Sequence, residues 1–367
     1  MKSLYIHIPF CAKKCLYCDF NSYANRELEN QYVKTIISQI NDLDYNFNTI
    51  FIGGGTPTIL SNENLKSLLE ALNKFSPKEF SIECNPGTIN KENLFIMKDF
   101  GVNRLSIGLQ STNNNILKSL GRIHTYEDFL NSYVLAREVG FKNINIDLMF
   151  GVPNQSLEDF KESLEKVCKL KPEHISSYSL IIEEGTPFYE MDKKGELNVV
   201  SEDIEREMYD FLIDYLKDKG YKWYEISNFC LNGKECEHNK VYWKCEDYIG
   251  IGAGAHSYFN GKRYSNVCSV KEYIEKSKSK DNSYIENIEV IDKNSSIEEN
   301  MFLGLRMIDG INKKEFENRF NESINDIYQK EIEKLKENDL IFEDENIIKL
   351  TRKGVNLSNQ VFVEFLK

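Results

Sequence analysis

Residues 4–20 read LYIHIPFCAKKCLYCDF. The apolar run at 4–8 has the composition of a short strand, and it leads directly into three cysteines, Cys11, Cys15 and Cys18, spaced C-x3-C-x2-C. Structural zinc usually takes four ligands in two separated pairs. A redox site needs only two cysteines. Three thiolates on one tight loop suit a cubane iron–sulfur cluster held at three of its irons. Such clusters normally have four cysteine ligands, so a missing one leaves an iron open to a small molecule. The plainer readings are three ordinary thiols, or zinc with a distant fourth ligand. Cysteine is common in cores, but three so close together in a hydrophilic loop are not core packing. In a reducing compartment such motifs usually mark metal or catalytic sites.

Working outward, the 367-residue chain is long enough for one large domain and a small one. It is 41% hydrophobic, with no run of membrane-spanning length, so no integral membrane segment is expected. The first strand begins almost at Met1 without a basic and apolar leader. Nine cysteines, an odd number without a disulfide framework, also point to the cytoplasm. A net charge of −12 argues against nucleic acid and anionic membranes as general partners.

The first two-thirds alternate between strand-like and helix-like segments. Strands are predicted at 4–8, 49–52, 79–83, 104–109, 143–148 and 174–180. Leu65, Leu68, Leu69 and Leu72 form the stripe of a helix with one buried face. Ser156 is placed to cap the helix that follows, with Asp159 at its third position. KDFGVNRLSI (98–107), REVGFKNINI (137–146) and KDKGYKWYEI (217–226) each end a helix, turn at a glycine and enter a β-prone run. Repeated βα units imply a parallel sheet, and six of them point to an incomplete (β/α) barrel; a flat doubly wound sheet is the alternative. The polar stretch 276–296 reads as a linker or exposed hairpin. Helices and then two short strands around an acidic turn in LIFEDENIIKLTRKG (340–354) suggest a small winged-helix-like α+β module. The expected division is a barrel over 1–285 and the module over 286–367. Acidic residues outnumber basic ones in the tail, so DNA binding is not expected there.

This placement gathers unusual residues at the C-terminal ends of the strands, where barrel active sites lie. They are the cysteine loop, GGGTPT (53–58), ECNP (83–86), GLQS (108–111) and Asp147 before GVPNQ, with Arg122 beyond. Each alone has a bland explanation as a turn or cap. Together they offer backbone N–H groups, carboxylates, an amide and a guanidinium to a zwitterionic ligand with a ribose.

These motifs, with IDLMFGVP (146–153), resemble the radical S-adenosylmethionine superfamily. Within it they resemble the branch that holds the anaerobic coproporphyrinogen III dehydrogenases (HemN) and the heme chaperones (HemW), over essentially the whole chain. The resemblance implies a partial (β/α)6 barrel with a [4Fe–4S] cluster on Cys11, Cys15 and Cys18. It also implies S-adenosylmethionine chelating the open iron, and a reduced cluster able to cleave it to a 5′-deoxyadenosyl radical. Tyr5, Tyr17, Gly54, Gly55, Thr56, Glu83, Gln110, Arg122 and Asp147 are expected by motif position to line that ligand. For Tyr5 and Tyr17 ordinary half-buried packing is the competing reading.

Two features separate the branches. The dehydrogenase pattern adds a cysteine two residues after the third, where this chain has Phe20, and an extension before the first strand. CEHNKVYWKCEDYIGIGAGAHSYF (236–259) contains His238, Tyr242 and Trp243 in the HNxxYW pattern of the heme chaperones. An imidazole is a common axial ligand for heme iron, and aromatic rings offer a porphyrin flat apolar surface. His238 is therefore the expected heme ligand, with Cys236, Cys245 and His256 as nearby alternatives; a loop hydrogen bond is its bland reading. The expectation is a carrier that binds heme and passes it to an acceptor hemoprotein, a respiratory one being the candidate. The competing expectation is an enzyme that oxidatively decarboxylates coproporphyrinogen III to protoporphyrinogen IX without oxygen. An exposed cluster loop suits a homodimer interface, the oligomeric partner expected here.

Overall fold

The structure is a computed structural model and describes residues 2–279 and 281–367. Met1 and Lys280, the latter inside the stretch expected as a linker, lie outside the described residues. The six expected strands form as β1 (Lys2–Ile8), β2 (Phe47–Gly54), β3 (Glu79–Cys84), β4 (Arg104–Gln110), β5 (Ile144–Phe150) and β6 (His174–Ser179). They lie side by side in chain order, every neighbouring pair parallel. That order decides between the two expected architectures. A doubly wound sheet reverses its strand order at a switch point. Here no reversal occurs among β1–β6, so right-handed crossovers put the helices on one face and the sheet curls around the other.

The pleat explains the sequence of each strand. Ile6, Ile8, Ile50, Ile52, Ile82, Leu105, Ile107, Ile146 and Leu148 point to the helical layer and are fully buried. Leu65, Leu68, Leu69 and Leu72 of the helix Asn62–Leu72 meet them as the stripe required. The alternate residues point inward and are largely polar, among them Ser3, Thr49, Glu79, Ser81, Arg104, Asn145 and His174, all buried. Ser156 caps the helix Leu157–Lys169 in a reciprocal box with Asp159. Gly140 ends the helix Tyr126–Val139 at φ +96°, a left-handed position that glycine takes without steric cost.

The sheet continues past both ends of the six. Beyond β6 lie β7 (Lys222–Glu225) and β8 (Asn228–Cys230), antiparallel, with β8 next to β6. On the other side β9 (Tyr248–Ile251) runs parallel to β1, and β10 (His256–Phe259), β11 (Lys262–Asn266) and β12 (Ile285–Val290) follow as antiparallel strands. The middle of the expected linker, Ile285–Val290, is therefore an exposed edge strand. The C-terminal residues form helices and a separate three-stranded sheet of β13 (Ile311–Asn312), β14 (Ile341–Glu343) and β15 (Ile347–Leu350), ordered β13-β15-β14. They have their own core around Met301, Phe316, Tyr328, Ile332 and Ile348, the winged-helix-like module expected. Among the described residues no helix is long and apolar enough to cross a membrane.

Candidate functional site

The cysteine loop leaves β1 and is clamped at both ends. Cys11 N donates to the Tyr23 carbonyl (3.0 Å) and Tyr23 N to that of Pro9 (2.8 Å). In its middle, Leu16 N donates to Leu120 O (3.0 Å). The GGGT turn after β2 closes on the loop's root through Gly55 N to Ile8 O (2.8 Å) and Thr56 N to Phe10 O (2.7 Å). This close approach is why two of the glycines are glycine. A Cβ on Gly55 would stand 2.6 Å from Phe10 O and 3.0 Å from Cys11 Sγ. One on Gly54, at φ +112°, would overlap the His7 ring at 2.5 Å.

One cleft at the C-terminal ends of β1–β6 is lined by Cys11, Cys15, Cys18, Tyr17, Gly54, Gly55, Thr56, Glu83, Gln110, Arg122 and Asp147. Gly54 N donates to Glu83 Oε2 at 3.0 Å. Arg122 donates to Gly108 O at 2.6 Å and to the Asn85 carboxamide oxygen, and its Nη1 lies 3.7 Å from Cys15 Sγ. Its Nε is a buried donor without a partner. Asp147 accepts from Ser106 Oγ (3.3 Å) and from Asn145 Nδ2 (2.7 Å). Gln110 sits at φ +72°, in a register break between β4 and β5. A non-glycine residue there is uncommon and favours functional sites. Burial, reinforced by the Asp147 charge, pushes the Glu83 carboxyl up to about 8. Burial likewise raises Asp147. Two half-buried carboxyls, an orphaned guanidinium nitrogen and glycine-lined backbone suit a zwitterion carrying an extra positive charge.

The three thiols are half-buried around the mouth of this cleft. Among the described residues no three His, Cys, Asp or Glu side chains converge as ligands of a single ion. A cubane needs no such convergence, because each thiolate binds a different iron. Cys11 Sγ beside Thr56 Oγ1 (3.6 Å), Cys15 beside Arg122 and the bare Gly55 face fit that group.

Tyr5 does not join the cleft. Its hydroxyl bonds His7 Nδ1 (2.9 Å), its ring stacks with Phe51, and it lines a neighbouring cavity. His238 lies deeper, 1% exposed, in the helix Glu237–Trp243 that closes the base of the barrel. The backbone N–H groups of Glu237 and His238 donate to the Glu79 carboxylate at 2.9 and 3.0 Å. The imidazole Nδ1 is 2.7 Å from Thr49 Oγ1 and Nε2 is 2.9 Å from the Tyr242 hydroxyl. Phe51 stacks on its face at 5.2 Å. To bind iron, His238 would have to give up one of these bonds. Tyr242 and Trp243 face different ways. Tyr242 packs edge-on against Tyr248, whereas Trp243 lies under Arg306 toward the C-terminal module. Asn85, Ser106 and Tyr178 also line the cleft. Asn85 stood in the quoted ECNP, and Ser106 shares the inward alternation with Gly108. Tyr178 had only its place near the end of a predicted strand.

The profile of the radical SAM superfamily matches residues 5–167, and that of the HemN C-terminal domain matches residues 291–357. A Bacillus subtilis protein named heme chaperone HemW is 42% identical over 100% of this chain and 99% of its own length. Its namesake from Lactococcus lactis is 40% identical over 99% and 97%. The solved structure of the Escherichia coli coproporphyrinogen III oxidase HemN superposes with a TM-score of 0.85 over 99% of this chain and 89% of that one. At 23% identity it speaks for the fold alone. The likeness over full length and the cysteine cleft at the sheet's C-terminal face agree: this chain belongs to the radical SAM superfamily and, within it, to the HemW family.

Proposed function

We propose that the protein is a heme chaperone, a carrier that binds heme and hands it to an acceptor hemoprotein. The observation that carries this reading is the 42% identity, end to end, with a relative named as a heme chaperone. Phe20, 60% exposed where dehydrogenases place a further cysteine, agrees with it.

Family membership implies a [4Fe–4S] cluster and S-adenosylmethionine. In our reading Cys11, Cys15 and Cys18 hold the cluster, which supplies an open iron and a reducing electron when bound. Glu83 accepts the ligand's amine, and Arg122, through its unpartnered Nε, meets its carboxylate. Asp147, already oriented by Ser106 and Asn145, takes the ribose hydroxyls. Gly54, Gly55 and Thr56 allow backbone approach, Gln110 donates from its strained position, and Tyr17 stacks on the adenine. Tyr5 acts one layer back, through His7. We also read the chain as two working units, a barrel over about 1–285 and the module after it. What supports this division is that the second core begins at Ile297 and the last strand of the main sheet ends at Val290. Nine free cysteines suit the cytoplasm. The acceptor class we favour is a respiratory hemoprotein, and the exposed Phe20 on the cluster loop marks the face where a second copy would dock.

The test is an anaerobic titration of the cluster-reconstituted protein with hemin, followed through the Soret band. Saturation near one heme per chain, with no turnover of coproporphyrinogen III, supports the carrier. Unsaturable binding together with porphyrinogen decarboxylation overturns it in favour of the dehydrogenase.

A further inference from the structure

The chain has five histidines. His7 is held by Tyr5 and by the Asn21 carbonyl, and His124 is buried against Leu109 O. His174 is bonded at both nitrogens, to Asn145 and Tyr224, and His238 to Thr49 and Tyr242. His256 differs from all four. It is exposed, and among the described residues neither ring nitrogen has a hydrogen-bond partner.

Its position is set by the glycine-rich turn between β9 and β10. β9 runs parallel to β1, so the turn emerges at the same end of the barrel as the cysteine loop. Asn21 ties the two together by donating to Ala253 O at 2.9 Å, and a Cβ on Gly254 would strike Asn21 at 2.6 Å. His256, the first residue of β10, thereby faces a cavity of about 330 Å³ whose aromatic walls are Tyr5, Phe20, Tyr242 and Tyr248. This cavity shares Phe20, Gly54 and Glu83 with the cysteine cleft.

We infer that His256 is the axial ligand of heme iron, that this tyrosine-walled cavity beside the cluster loop receives one face of the porphyrin, and that His238 is a positioning residue. The inference rests on the heme-carrier reading. A free imidazole above flat aromatic walls supplies both what the iron and what the macrocycle need. The open side of the cavity leaves the far edge of the heme accessible to an acceptor. His238 fixes the Tyr242 hydroxyl from behind, so it shapes a wall without touching metal.

The experiment is the same anaerobic hemin titration on wild type, His256→Ala and His238→Gln, with the electron paramagnetic resonance and Soret signature of each complex and with added imidazole. Circular dichroism and melting establish that the variants are folded. We expect His256→Ala to bind at least about tenfold more weakly, to lose the imidazole-ligated signature, and to regain it with free imidazole. His238→Gln keeps that signature. If His256→Ala retains both affinity and signature, or if only His238→Gln loses the signature, the assignment is wrong. Failure of the wild type to bind hemin sinks the carrier reading instead, so the two failures are distinguishable.

Discussion

Arg122 Nη1 lies 3.7 Å from Cys15 Sγ, while Nη2 of the same guanidinium donates to the Gly108 carbonyl on β4. One side chain thus links the cysteine loop to the ligand-bearing strand end. Arg122→Ala removes the positive charge beside the thiol and the donors to Gly108 and Asn85. Isothermal titration of the reconstituted variant should show S-adenosylmethionine affinity reduced by about tenfold or more, consistent with the loss of charge-assisted hydrogen bonds of about 1.5–3 kcal/mol. Arg122→Lys should recover part of it, because a point charge lacks the planar fork.

Gly55 sets how closely the GGGT turn approaches Cys11. Gly55→Ala would put a Cβ 2.6 Å from Phe10 O, and backbone cannot move aside cheaply. The expected result is a folded protein whose iron and sulfide content after reconstitution falls well below wild type. Metal analysis and the cluster's visible absorption check it.

Glu83 predicts a pH dependence. Its carboxyl is raised from 4.5 to about 8 by burial and by Asp147, so the ligand-free folded state keeps the proton where the unfolded chain has lost it. Stability from this group is present below the ordinary carboxylate range and falls as pH rises toward 8. Glu83→Gln should therefore be more stable than wild type at pH 8, by at most a few kcal/mol on the order of the linkage, and nearly equal at pH 4.5. Urea melts of both proteins at the two values decide it. The sulfonium charge of S-adenosylmethionine and the N–H groups of its amine favour the ionised carboxylate, so it should bind wild type more tightly as pH rises over the same interval.

His238 makes the opposite acid-side prediction. Burial, with the Arg104 charge, holds its imidazole down at about 3. Folding favours the neutral ring, and the stability it contributes is lost as pH falls from 6.5 toward 3. His174, depressed in the same direction, adds to that slope. His238→Ala leaves Thr49 and Tyr242 facing a gap and should cost about 2–4 kcal/mol at neutral pH, read as a lowered melting temperature. His238→Gln should show a shallower acid-side loss.

Whatever is local is legible in the chain. The three cysteines, GGGTPT, ECNP and GLQS are contiguous stretches whose chemistry survives without knowing their neighbours. The six strands, the Ser156–Asp159 cap and the Gly101, Gly140 and Gly220 helix ends follow from short-range periodicity and backbone preference. What depends on partners far apart in the chain emerges only when the sheet assembles. β9 joins β1 across more than half the sequence, and no periodicity in either strand announces that pairing. The HNxxYW helix reads as a ligand motif, yet Glu79, Thr49 and Phe51 draw its histidine into the base of the barrel. Tyr5, beside His7 on the inner face of β1, lines the cavity closed by Tyr242 and Tyr248 and not the cysteine cleft, and the turn after β9 leaves His256 free. A side chain's type is written locally, but its availability depends on which distant groups satisfy it. Those partners exist only after the sheet has curled and its inner face has closed.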